Sequence, residues 1–121
     1  RCRHVLVGRP CERSRHLGAG LARELCRLAD RHPVIGDVRG GHGLFAVLEF
    51  VVDRDTREPL APWPQTPPPL AALLRAALDE GVSFGARGNL ILVAPPLVVD
   101  ESDLANALAL LDRLLARFFP T

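Results

Sequence analysis

An α+β domain, with helices on one face of a small and mostly antiparallel sheet, is the fold that this 121-residue sequence predicts. Three observations carry that expectation. Leucines recur at helical spacing in three separate segments. Between those segments lie short runs of Val, Ile, Leu and Phe, bounded by glycine or proline, that suit strands. The segments also follow one another as helix, two strands, helix, two strands, helix.

Residues 1–12 read as an irregular lead-in without periodicity, and residues 13–121 as one domain. From about Ser14, Leu17, Leu21, Leu25 and Leu28 define an amphipathic helix that ends before Pro33. Two extended segments follow, Val34 to Arg39 and Leu44 to Val52, with a bend at Gly40-Gly41-His42-Gly43 between them. The second reads as a central strand. Asp53 to Pro59 is a polar turn, and Pro59 to Pro69 is proline-rich and holds the sole tryptophan, Trp63. Trp63 fits a plug on a stiff surface connection, or else a docking edge or a wall of an active-site entrance. A second helix is expected from about Thr66, with its hydroxyl as cap, Leu70, Leu73, Leu74, Ala77 and Leu78 as its buried stripe, and Gly81 ending it. Val82–Ala86 and Asn89–Val93 read as strands bent at Arg87-Gly88. Asp100-Glu-Ser-Asp103 then caps the last helix, whose apolar stripe is Leu104, Ala107, Leu108, Leu111, Leu114, Leu115 and Phe118.

Composition narrows the function. Hydrophobic residues make up 48% of the chain, enough for a core at this length. Net charge is +1, with arginines interleaved among acids, which argues against a nucleic-acid partner. The longest apolar run, Leu90 to Ala94, is too short to span a membrane, and the first residues lack a secretory pattern. With no methionine, the chain is expected to be a processed, excised or truncated piece. Three cysteines, an odd number, suit a reducing cytoplasm. There is no lysine, since all fifteen basic residues counted are arginine.

Four segments in order, His32-Pro-Val-Ile-Gly-Asp-Val-Arg-Gly40, Gly43-Leu-Phe45, Asp53-Arg-Asp-Thr-Arg-Glu-Pro59 and Ala94-Pro-Pro-Leu-Val-Val99, resemble the C-terminal small domain of class III aminotransferases. The resemblance runs from about Glu12 to Phe119. It implies a pyridoxal 5'-phosphate enzyme that moves an amino group from an amine or amino acid to an oxo acid. It further implies a missing large domain that holds the cofactor on a lysine, and a homodimer when intact. A guanidinium cannot replace that lysine, being permanently protonated and a poor nucleophile. The isolated chain is therefore expected to be inactive. The alternative is a stand-alone, non-catalytic interaction or dimerisation domain; a small-molecule-sensing regulatory domain is a weaker third.

Relatives of this kind pair the substrate carboxylate with an arginine ahead of the Pro-Pro-Leu segment. The matching position here is Gly85, and Arg87 is the nearest arginine, on the same face if the segment is a strand. Arg87 is thus the candidate carboxylate contact, with a surface role as the bland reading. Arg39 is expected to tie Asp37 or carbonyls across its bend. Glu49, in an apolar strand, is expected at an edge or paired with an arginine. Cys2, His4, Cys11 and His16 lack close metal-ligand spacing. Cys26 reads as a small, partly buried side chain, and His42 as a bend residue. No residue is expected to bind the cofactor or a metal.

Overall fold

The computed structural model describes residues 12–40, 44–95 and 100–120, in which three helices and five strands alternate. Helix α1 (Glu12–Arg31) leads into strand β1 (Ile35–Gly40) and β2 (Ala46–Asp53), with the two-residue β3 (Glu58–Pro59) following. Helix α2 (Pro68–Asp79), strands β4 (Gly85–Arg87) and β5 (Leu90–Val93) and helix α3 (Glu101–Phe118) complete the order. The sheet runs β1-β2-β5-β4 with β3 beside β2, and every pairing is antiparallel. The α+β class and the predicted element order therefore hold. The added strand, β3, arises where the turn after Asp53 folds back so that Pro59 meets Val51.

Alternation along the strands puts Val38, Ala46, Leu48, Phe50, Ile91 and Val93 on one face, all buried. They join Leu17, Leu21, Leu25 and Leu28 of α1, Leu70 and Leu73 of α2, and Leu104, Leu108, Leu111 and Leu115 of α3 in one core. The Phe50 ring closes it at one end against Phe119, with centroids 5.6 Å apart. The helices thus cover one face and leave the other open.

Helix ends are where local reading fell short. The N-cap of α2 is Pro67, not Thr66, and no side chain bonds to the cap. Pro67 lies at φ −58°, ψ 141°, and the prolines at the helix start lack the N–H that Thr66 would have capped. Asp100 is the N-cap of α3 without a side-chain bond, although Glu101 and Asp103 do place negative charge in its first turn. Gly81 follows the last turn of α2 at φ 89°, as a chain-reversing glycine should. Leu78, expected in the buried stripe, is 61% exposed because it sits on the solvent side of the final turn. Leu110 is buried instead, widening the stripe of α3.

Two long-range ties hold α1 in place. The Arg54 guanidinium donates from Nε to the Ile35 carbonyl at 3.1 Å and from Nη2 to the His32 carbonyl at 3.2 Å. It also donates to the carbonyl of Ala29. Those oxygens include carbonyls that the end of α1 leaves without helical partners. The second tie joins α1 to α3. His32, 6% exposed, lies with Nε2 2.7 Å from Asp112 Oδ1, and Arg31 pairs with the other carboxylate oxygen. We expect Arg54→Ala to cost about 1–3 kcal/mol in urea unfolding, since it removes a charged donor from partly buried carbonyls. A loss below a few tenths would show that water replaces the guanidinium.

Candidate functional site

The open face of the sheet is the candidate site, because strand alternation turns there the strand side chains that point away from the core. Pairing sets these residues in two cross-strand rows. One runs Asp37, Glu49, Leu90, Arg87 and the other Arg39, Val47, Leu92, Gly85. The centre is apolar and half-buried at Val47, Leu90 and Leu92, and Phe45, just ahead of β2, is 48% exposed. Among the described residues no helix covers this side.

One end of the face is charged and paired. Arg39 Nη2 donates to Glu49 Oε1 at 2.8 Å, and Arg39 Nε lies 3.6 Å from Asp37 Oδ2. Arg39 thus has the structural role expected of it, and Glu49 the arginine partner. Half-exposed pairs of this kind fix register more than they add stability. At the other end stands Arg87, exposed on edge strand β4, whose side chain bonds to no described residue.

Gly85 and Arg87 share β4 and the same face, as the two-residue spacing requires. The space beside Gly85 is already used. A Cβ built there would lie 3.3 Å from the Leu92 Cβ and 3.4 Å from Leu92 Cδ1. A side chain at position 85 would need Leu92 to give by a few tenths of an ångström, while Arg87 stands exposed. Between the α2–β4 connection, the end of β5 and α3 runs an open groove of about 710 Å³, with Phe84, Ala107, Asp103 and Arg113 in its walls. It brings no set of catalytic side chains together.

The turn that carries Arg87 is held from outside the sheet, which sequence reasoning did not foresee. Gly88 takes φ 60°, suiting the first position of a two-residue hairpin turn between Arg87 and Leu90. Asn89, only 7% exposed, accepts from the Ala61 amide at 3.1 Å through Oδ1 and donates from Nδ2 to the Ala61 carbonyl at 2.8 Å. The proline-rich stretch turns there, with Gln65 N donating to Pro62 O at 2.8 Å across a cis Trp63–Pro64 peptide. Trp63 lies over Gly88, so close that a Cβ at 88 would fall 2.8 Å from its Cε3 and Cζ3. Trp63 is nonetheless 62% exposed, so it covers the turn from outside the core.

The other candidates sort as follows. Cys2, His4, Cys11 and His42 lie outside the described residues. His16 stands exposed, 3.4 Å from Glu101 Oε1. Cys26 is partly buried as expected, but it is disulfide-bonded. The chain has no lysine, so none of its residues can hold pyridoxal phosphate covalently.

Comparison with known proteins adds what geometry does not. Residues 6–115 match the family model described as aminotransferase class-III. The chain is 36% identical over 104 residues to a taurine–pyruvate aminotransferase of Bilophila wadsworthia, which covers 80% of this chain and 22% of that protein. It is 33% identical over 95 residues to an (R)-1-hydroxy-2-aminoethylphosphonate ammonia-lyase of Vibrio splendidus, over 78% of this chain and 18% of that one. Among solved structures, a taurine:2-oxoglutarate aminotransferase from Bifidobacterium kashiwanohense, in complex with PLP and glutamate, superposes with a TM-score of 0.79 at 27% identity. That match takes in 88% of this chain and 24% of the other. The chain therefore spans about a fifth to a quarter of the proteins it resembles.

Proposed function

This chain belongs to the class-III aminotransferase family, and on that premise we propose that it is the C-terminal small domain of an enzyme transferring an amino group from an amine or amino acid to an oxo acid. The observation that carries the reading is the open sheet face. It has an apolar centre, a paired cluster at one end and, at the other, an arginine without a partner among the described residues. Such a face suits packing against the large domain, which the relatives' greater length leaves room for. Pyridoxal phosphate supplies the electron sink for this chemistry in the family. Its covalent attachment falls outside this lysine-free chain.

What these residues contribute is substrate recognition. Arg87 presents parallel N–H donors to the two oxygens of a carboxylate, two residues along the same strand face from Gly85. In the intact protein, Arg87→Gln should lower kcat/KM for a carboxylate-bearing amino donor by about ten- to a hundredfold relative to a carboxylate-free amine. An unchanged ratio would remove Arg87 from the site. The Vibrio relative is an ammonia-lyase, which favours elimination as the second reading. Turnover that needs an oxo acid supports transfer, and ammonia release without one supports the lyase.

A homodimer and a cytoplasmic setting complete the proposal. The first rests on the family resemblance and the second on the odd cysteine count. Alkylation of the native protein before reduction, with a count of reactive thiols, tests the cytoplasmic setting.

A further inference from the structure

We infer that Trp63 and Asn89 are positioning residues for substrate recognition, acting through Arg87 by clasping the turn on which it stands. The inference rests on the reading of Arg87 as the carboxylate contact and adds what holds it in place.

Edge strand β4 has only three residues, all exposed, and pairs with β5 alone. A strand so short, with no core side chain of its own, has little to fix the direction of its last residue. The clasp supplies this from both sides. Asn89 satisfies both backbone groups of Ala61 with its amide, and its own carbonyl accepts from Phe50 N at 2.9 Å. The proline-rich stretch, the hairpin turn and the fully buried Phe50 of central strand β2 are thereby joined in one line. Trp63 closes the other side by lying on Gly88, where only a residue without a Cβ leaves room for the ring. Arg87 directly precedes Gly88, so a shift of the turn would move its guanidinium. Displacements of about 1 Å are enough to cost large factors in rate where geometry is demanding.

Nothing in core packing requires a tryptophan here. Trp63 is mostly exposed and covers a turn. Anchoring the arginine gives it a purpose.

The test uses the intact protein and reads the ratio of kcat/KM for an amino-acid donor over the amine of the same skeleton lacking the carboxylate. Wild type is compared with Arg87→Gln, Trp63→Ala, Trp63→Phe and the Arg87→Gln/Trp63→Ala pair. Trp63→Ala should lower the ratio by about tenfold, Trp63→Phe should restore most of it, and the pair should be no worse than Arg87→Gln alone. If Arg87→Gln lowers the ratio but Trp63→Ala does not, or if their losses multiply, the clasp is overturned while Arg87 stands. If Arg87→Gln leaves the ratio unchanged, the reading of Arg87 fails and the positioning role falls with it. Thermal midpoints of all variants separate a lost fold from a lost ratio.

Discussion

Given pyridoxal phosphate, an amine and an oxo acid, the isolated 121-residue chain will transfer no amino group, a complete loss relative to an intact enzyme. The reason is chemical and not conformational. A covalent bond to the cofactor needs a side-chain amine that can lose its proton, and all fifteen basic residues are arginines. Folding the chain correctly cannot supply one. Borohydride reduction followed by mass spectrometry checks this: a pyridoxyl adduct on anything but the terminal α-amine would contradict it. The same chain should associate as its concentration rises, because Phe45, Val47, Leu90 and Leu92 leave an apolar surface uncovered. Sedimentation velocity reads that directly, and a sharp monomer at all concentrations would mean that the face needs no cover.

Loss of the Asp112 carboxylate is the second large effect, this time on stability. Asp112→Ala leaves the buried His32 ring without its partner and Arg31 without its ion pair, which should cost about 1–3 kcal/mol. The pH dependence has a definite sign. The hydrogen bond with His32 holds the Asp112 carboxyl below its usual 3.8, with the charges of Arg31 and His32 adding and burial opposing. A carboxyl whose folded pKa is depressed contributes stability that is fully present above its unfolded value. That stability is lost as pH falls below 3.8 and through the folded pKa. Urea unfolding between about pH 2 and about pH 6 should therefore show a steeper acid loss for wild type than for Asp112→Ala. Equal slopes would mean that the α1–α3 tie does not titrate with folding.

Much of this was legible along the chain because the signals are periodic. Leu17, Leu21, Leu25 and Leu28 mark the buried stripe of α1 through spacing alone, and the run Leu44 to Val52 marks the central strand. Strand parity also placed Gly85 and Arg87 on one face before any coordinates, since the argument needs only a spacing of two. Periodicity fails where an element ends. Leu78 continues the stripe of α2 on paper, yet its turn is the last and faces solvent.

What stayed illegible is contact between residues far apart in sequence. No sequence pattern marks Asp112, and only the fold brings it to His32, eighty positions away. Arg54 belonged to a polar turn with no sign that it would cap α1. The Asn89–Ala61 pairing follows from no local rule, since Asn89 reads only as the start of a strand. For Trp63 the sequence offered a plug or a docking edge. That it lies on Gly88, twenty-five positions away, follows from no local pattern.

The central claim is that this chain is one domain of an aminotransferase whose reactive lysine lies elsewhere in the same protein. The most direct test is to isolate the native protein with an antibody to this domain, reduce it with borohydride and map the labelled peptide. The account predicts a species several times larger than 13.2 kDa with pyridoxyl-lysine outside these 121 residues. A native species near 13.2 kDa without label would contradict it, and would leave a non-catalytic domain whose open sheet face serves a different partner.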